Sequence, residues 1–362
     1  MTHPSRKLIA QVLSIPTMSF HEEGIAMFVR MYANALGLGV REDRVGNLMV
    51  RTGRGAPGVV FTAHMDHPGF EVVATKGRRA MVALWGKVSP ATFAGARVVA
   101  YTAEKKLRMR IGRLIKNKTF EGRPLFTLTS PVPLTKRDFG HFDLPACNVV
   151  NGKIYTRAAD NLMSVAAILD MFGRLKAAGA NAGVAGLFTR GEEAGFLGAF
   201  AAMDHGLLPR RTPLIVLECS SARHAKVAIG GGPVIRVGDW QSSYDPTIDR
   251  WITDTAGAYA RRQKKFRFQR ELLPGGRCEA CVYIAEGYRT GGIALPLGNY
   301  HNQSKLSRPA PEFVSTADYE GMVGLMCELA CAKKPRENYL HEQIKPIRKN
   351  YRKLRKKLLK SK

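Results

Sequence analysis

Five short groups of histidines and acids stand out in this chain: His64-Met65-Asp66, Asp160-Asn161, Glu192-Glu193, Glu218 and His301. Two imidazoles and three carboxylates supply enough nitrogen and oxygen donors for two borderline divalent cations. A shared carboxylate lets such a pair sit about 3.5–4 Å apart. A carboxylate left over beside a ligand can take a proton from metal-bound water. The adjacent acids Glu192 and Glu193 therefore supply both a ligand and a base. Asp66, two residues after His64, can accept the other imidazole N–H and fix the tautomer. Each group alone has an ordinary structural explanation; the ordered set is what points to metal chemistry. No H-E-x-x-H, Walker A or G-x-S-x-G motif competes with it.

The elements that must position these residues can be read from the pattern. His64 follows the strand-like Val59–Ala63, Glu192-Glu193 follow Val184–Thr189, and Glu218 closes Leu214–Leu217. Asp160-Asn161 open a helix running to Ala178, and His301 comes shortly after a strand at Gly291–Leu295. In open α/β sheets ligands bind at the carboxyl ends of strands, so these positions can converge. Ser19 and Glu22 match an S-x-x-E capping box, which predicts a helix from there to about Ala35. Gly53 to Gly58 matches G-x-G-x-x-G but runs into Val59-Val60-Phe61-Thr62, so it reads as a turn between strands rather than a dinucleotide loop.

From about 70 to 150 helix periodicity is weak and short β-like runs recur, at Phe70–Thr75, Ala80–Trp85, Ala96–Thr102, Leu107–Ile115 and Leu125–Leu128. The economical fold is α/β: a layered, phosphorylase/hydrolase-like catalytic domain from residues 1–68 and 150–332, interrupted by a small β-rich, barrel-like domain over 69–149. A basic amphipathic tail, 333–362, completes the chain.

With 362 residues, 45% of them hydrophobic, the chain is globular and long enough for about two domains. No stretch approaches the ~18 consecutive apolar residues that a spanning helix needs. Arg6 and Lys7 are followed by only a short, interrupted apolar run, so no secretory leader is read. Cys147, Cys219, Cys278, Cys281, Cys327 and Cys331 match no secreted framework. They read as reduced, mostly buried thiols of a cytoplasmic protein, with Cys278-x-x-Cys281 lacking the second pair a zinc knuckle needs.

The net charge is +27, which alone suggests a polyanion partner. The last 30 residues carry 13 Lys/Arg against two acids. There Leu340, Ile344, Ile347, Tyr351, Leu354 and Leu358 recur at spacings of four and three, an amphipathic helix able to touch nucleic acid, lipid headgroups or an acidic partner, or simply to stay solvated. A second basic run, Arg261 to Arg267, reads as a loop near the substrate entrance, where it would favour acidic peptides.

The order H-x-D, D-N, E-E, E, H resembles the co-catalytic metallopeptidases, in particular the tetrahedral (TET) and glutamyl aminopeptidases. The local wording agrees: Ala63-His64-Met65-Asp66, Ala159-Asp160-Asn161, Glu192-Glu193-Ala194-Gly195 with Gly198-Ala199, and Asn299-Tyr300-His301. Asp43 with Val45-Gly46-Asn47-Leu48, and Gly275-Gly276 followed by Glu279-Ala280, are similar to further family segments, so the resemblance spans about residues 5–330. It implies that His64, Asp160 and Glu218 hold one metal and Asp160, Glu193 and His301 the other, with Asp160 shared. Zn²⁺ is the metal expected, with Co²⁺ or Mn²⁺ as alternatives. It implies Glu192 as general base and then acid, Asp66 behind His64, and a cis peptide at Asp160–Asn161. It also implies a homo-oligomer, dimer or dodecamer, through the inserted domain, which would serve as a lid.

Three departures bear on substrate choice: Asn161 and His67 stand where the family usually has acids, and Arg277-Cys278 replace a shorter segment of the glycine motif. Arg277 and Glu279 are candidate substrate contacts, Glu279 for a free α-amine. The function expected is an aminopeptidase releasing N-terminal residues from peptides. The alternatives are an N-acyl or peptide amidohydrolase on the same scaffold, or a non-catalytic polyanion-binding protein.

Overall fold

The computed structural model describes residues 1–224, 226–273, 275–333, 335 and 339–360. Three strands open the chain: β1 (Gly39–Glu42), β2 (Leu48–Arg51) and β3 (Val59–His64). Six more follow without interruption by a long helix: β4 (Gly69–Lys76), β5 (Arg79–Trp85), β6 (Arg97–Tyr101), β7 (Lys106–Phe120), β8 (Arg123–Thr129) and β9 (Phe139–Phe142). The hairpin β10 (Asn148–Val150) and β11 (Lys153–Thr156) leads back, and then come β12 (Val184–Thr189), β13 (Leu214–Ser221), β14 (Val234–Arg236), β15 (Gln269–Glu271), β16 (Thr290–Leu297) and β17 (Glu312–Ser315). The helices are α1 (His3–Ser14), α2 (Glu23–Ala35), α3 (Pro90–Phe93), α4 (Ala159–Ala177), α5 (Leu197–Asp204), α6 (Pro246–Arg262), α7 (Glu279–Ala285), α8 (Thr316–Cys331) and α9 (Tyr339–Lys360).

Eight strands form one sheet in the order β1-β2-β12-β3-β13-β16-β14-β15, with β12, β3, β13 and β16 parallel. Parallel strands need both faces covered, and β3, β12 and β16 are accordingly buried at every position, as near-continuous apolar runs. Val59, Phe61 and Ala63 of β3, with Ile215 and Leu217 of β13, pack against α1, α2, α4, α6 and α8. Val60, Leu214 and Val216 face the other way, against α5 and α7. α4 is buried over nearly its whole length, which explains its apolar run from Leu162 to Phe172. Gly186 of β12 lies under it; a Cβ there would meet Ile168 Cγ2 at 2.5 Å.

Strands β4-β5-β8-β7-β6-β9 close into a barrel between Gly69 and Phe142. Phe70, Val72, Val82, Leu84, Phe93, Val98, Phe126 and Leu128 fill it as a core of its own. The α/β architecture with an inserted β-barrel is thus as the sequence pattern implied. The third sheet joins β10 and β11 to β17.

Two local expectations fail. Helix α2 begins at Glu23 with no side-chain cap. The capping box does not form, because Ser19 Oγ donates to Asp66 Oδ2 at 2.7 Å and Glu22 accepts from Gly191 N at 2.9 Å. Both residues are recruited by the functional site. The basic run 261–267 also lies elsewhere than expected. Lys265 and Arg267 line a cavity with Met1, Arg174 and Asp318, which shares no residue with the cavity containing His64 and Asp160.

The tail forms α9, with Ile344, Ile347, Tyr351 and Leu354 all exposed. Residues 334, 336–338, 361 and 362 of the tail lie outside the described residues, as do the side chains of Leu340 and Leu358. All six cysteines are unpaired; Cys219, Cys278 and Cys281 are buried, Cys147 and Cys327 partly so, and Cys331 exposed. Among the described residues no helix is long and apolar enough to cross a membrane.

Candidate metal centre

The carboxyl ends of the parallel strands deliver the acidic and histidine groups to one place. His64 is the last residue of β3 and pairs with Thr189, the last of β12, so the turn carrying Glu192 and Glu193 leaves the sheet beside it. Glu218 lies within β13, and the chain beyond β16 carries His301. Asp160 enters from the start of α4, and its peptide bond to Asn161 is cis, as the resemblance implied.

His64 Nε2 lies 3.4 Å from Asp160 Oδ1 and 3.9 Å from Glu218 Oε2. On the other side of the same carboxylate, His301 Nε2 lies 3.6 Å from Asp160 Oδ2 and 2.8 Å from Glu193 Oε1. Two donor groups result, each with its ligand atoms within 4.8 Å of one another: His64, Glu192 and Glu218, and Asp160, Glu193 and His301. Asp160 belongs to the second group by distance and reaches the first through His64. Glu192, expected as a base, stands in the first.

This donor set fits divalent cations. Asp160 Oδ1 and His301 Nε2 are buried without a hydrogen-bond partner. Two imidazoles and four carboxylates are the ligand chemistry of Zn²⁺, Co²⁺ or Mn²⁺. Both histidines also have their far nitrogens engaged, which leaves Nε2 free to bind metal. His64 Nδ1 lies 3.3 Å from Asp66 Oδ1, and His301 Nδ1–H donates to the Lys87 carbonyl at 3.2 Å. Lys87 follows the barrel strand β5, so the inserted domain fixes one candidate ligand.

The protonation preferences describe a site short of positive charge. Burial and the neighbouring carboxylates push Glu192 well above the usual range. Burial, then Asp160, raises Glu218 to about 8. His64 and His301 are held well above an ordinary imidazole despite burial, by Glu192 and Glu193 respectively and by Asp160. Asp160 is pulled down against its burial by the two histidines. Cations would relieve the crowding that now falls on protons.

Asp66 does more than orient an imidazole. Its Oδ1 accepts from Glu192 N and its Oδ2 from Glu193 N, both at 3.0 Å. The turn is pinned further by Asn47, whose Oδ1 accepts from Arg190 N and whose Nδ2 donates to the Gly198 carbonyl, each at 2.9 Å. Gly198 must be glycine here, since a Cβ would lie 2.4 Å from the Arg190 carbonyl oxygen. The departures from the family pattern are accommodated: His67 Nδ1–H donates to the Asp160 carbonyl, its Nε2 faces the Asn302 amide at 3.0 Å, and Asn161 Nδ2 donates to the Leu217 carbonyl at 2.9 Å.

Sequence reading missed three residues. Glu312, buried in β17, accepts from Asp160 N at 3.0 Å and from His301 N at 2.8 Å, fixing two candidate ligands at once. Tyr300 stacks on the His301 ring. Arg236, buried at the end of β14, lines the same cavity as His64, Asp160 and Glu218, and its Nε has no partner. Of the two expected substrate contacts, Arg277 is exposed on that cavity's wall, where it donates to Gln241 Oε1 at 3.0 Å. Glu279 does not line the cavity: it is buried, neither oxygen is hydrogen-bonded, and burial raises its carboxyl to about 7.

The sequence matches the family model of the M42 glutamyl aminopeptidases over residues 134–311. The fold is similar to that of a TET aminopeptidase from a marine sediment archaeon of the Thaumarchaeota, at 19% identity over 94% of this chain and 99% of that one, with a TM-score of 0.77. It is similar also to the TET1 peptidase of Pyrococcus horikoshii, which assembles into a tetrahedron or a large octahedral shell, at 21% identity over 90% and 99% of the two chains and a TM-score of 0.74. An aminopeptidase of the archaeon Desulfurococcus kamchatkensis gives 20% identity over 90% and 94%, with a TM-score of 0.74. The resemblance read from the sequence is borne out.

Proposed function

Taking this chain as a metallopeptidase of the M42 glutamyl aminopeptidase kind, we propose that it removes N-terminal residues from peptides, with a preference for acidic ones. It is a hydrolase, and one observation carries the reading: the Nε2 atoms of two histidines, each fixed from behind, approach opposite oxygens of the single carboxylate of Asp160. His64, Asp160 and Glu218 would hold one cation and Asp160, Glu193 and His301 the other, with Zn²⁺ the metal expected. When bound, the cations polarise the scissile carbonyl and acidify water.

The residues of the chain supply the rest. Glu192, on the cavity wall, takes the proton of the attacking water and returns it to the departing amine. Asp66 holds the backbone of Glu192 and Glu193 so that base and ligand keep their separation. Arg236 and Arg277 place positive charge on the same cavity, which supports an aspartyl or glutamyl side chain there. The selectivity first read into 261–267 passes to these two arginines. Glu279, expected as the acid for the substrate's α-amine, is buried away from the cavity wall and is not assigned that contact.

The barrel, by its likeness to the assembling TET1 fold, is the candidate oligomerisation domain and lid. The unpaired cysteines suit a cytoplasmic enzyme. Glutamyl- and leucyl-anilide hydrolysis by purified protein, before and after chelation and on return of Zn²⁺ or Co²⁺, tests the reading. Metal-dependent turnover favouring glutamyl substrate supports it; turnover indifferent to chelation, or salt-sensitive RNA binding with no turnover, refutes it.

A further inference from the structure

Helix α9 carries a surface that the hydrolytic reading does not use. It is anchored near its start, where Tyr339 Oη donates to Asp254 Oδ2 of α6 at 2.7 Å. Beyond that point Ile344, Ile347, Tyr351 and Leu354 are 44%, 69%, 53% and 47% exposed. Their spacings of three, four and three place them on one line, the a/d seam of a coiled coil. We infer that this seam docks a helix of another protein whose own apolar seam is flanked by Asp and Glu.

The choice of occupant follows from shape and charge. The apolar line is narrow, with Arg348 and Arg355 on one flank and Lys357 on the other. A helix lying in a lipid surface presents a broader apolar face. Nucleic acid would satisfy the cations and leave four apolar side chains in water. A second copy of α9 would set like charges against each other at the flanking positions, which opposes self-pairing. An acidic heptad helix covers the seam and neutralises both flanks.

The test uses the full chain and an N-acetylated synthetic peptide of about three heptads with Leu on its seam and Glu at its flanks. Fluorescence anisotropy at physiological salt should show saturable binding at one peptide per chain. Ile347→Ser with Leu354→Ser should weaken it at least about tenfold, since the apolar seam is lost. Arg348→Glu with Arg355→Glu should do the same and transfer binding to the matched Lys-flanked peptide. These positions are exposed, so the variants fold, and anilide hydrolysis should not change. Absence of binding, equal binding of a scrambled peptide of the same composition, or phosphatidylserine-vesicle or RNA binding that survives the Ile347/Leu354 change overturns the proposal.

Discussion

His301 Nε2 lies 2.8 Å from Glu193 Oε1, yet the two atoms form no hydrogen bond. Both belong to one group of candidate metal ligands, with Asp160. The same carboxylate cluster leaves Asp160 Oδ1, on the His64 side of that carboxylate, without a hydrogen-bond partner. Buried polar atoms in this state cost free energy unless something outside the chain satisfies them. A pair of cations would do so here, and the architecture holds the candidate ligands ready: the barrel fixes His301 through Lys87, Glu312 fixes Asp160 and His301, and Asp66 fixes the Glu192-Glu193 turn.

Glu192→Gln removes the proposed base while keeping its size and the Asp66 contact to its backbone. Turnover should fall by about 10²–10⁴-fold with KM little changed. Steady-state kinetics on a glutamyl-anilide measures this. Near-normal kcat would exclude Glu192 from proton transfer.

Glu312→Ala leaves Asp160 N and His301 N without their buried acceptor. Metal affinity should drop by about 10–100-fold, the usual cost of losing a group behind a ligand. Competition with a chromogenic chelator reads the affinity directly, and unchanged affinity would show that Glu312 is only a packing residue.

Arg236→Met keeps the volume of a buried side chain and deletes its charge. The ratio of kcat/KM for glutamyl over leucyl substrate should fall by about 10–100-fold, chiefly through the glutamyl value. A ratio that does not move would place acidic selectivity elsewhere, with Arg277 next to be replaced.

The pH dependence has a definite sign. Glu218 and Glu279, raised from 4.5 to about 8 and about 7, hold protons more tightly in the folded chain than in the unfolded one. Their contribution to stability is complete below about pH 4.5 and is lost as pH rises through 7 to 8. Asp66 and Asp160 are shifted down and add nothing in that window. The metal-free protein should therefore melt at lower temperature at pH 8 than at pH 6. The rise in Tm on adding Zn²⁺ should be larger at pH 8, where protons compete less for the ligands. A metal-free Tm that is flat or rises across this interval would contradict these burial effects.

What could be read beforehand divides along physical lines. The barrel strands were visible because Phe70–Thr75 or Ala80–Trp85 carry β-branched and aromatic residues between turn signals. The donor set was visible because metal ligands follow strand ends in recognisable pairs. Glu312 was not, since one acid in a short strand has no local signature; its role exists only because β17 passes beside Asp160 and His301. Arg236 was not singled out, for the same reason: its place on the cavity follows from the packing of β14. Ser19 misled, because a tertiary acceptor, Asp66, outcompeted the helix end that its spacing to Glu22 suggested. The run 261–267 misled because charge density says nothing about which cavity a loop will line.

The central claim is that this chain holds two cations with Asp160 between them and Glu192 outside their essential ligand set. Elemental analysis of the purified, Zn²⁺-loaded protein and of its Glu192→Gln and Asp160→Asn variants tests it most directly. Two metal ions per chain are expected in the parent, two in Glu192→Gln despite its lost turnover, and fewer than one in Asp160→Asn. One ion or none in the parent, or loss of metal from Glu192→Gln with retention in Asp160→Asn, would contradict it.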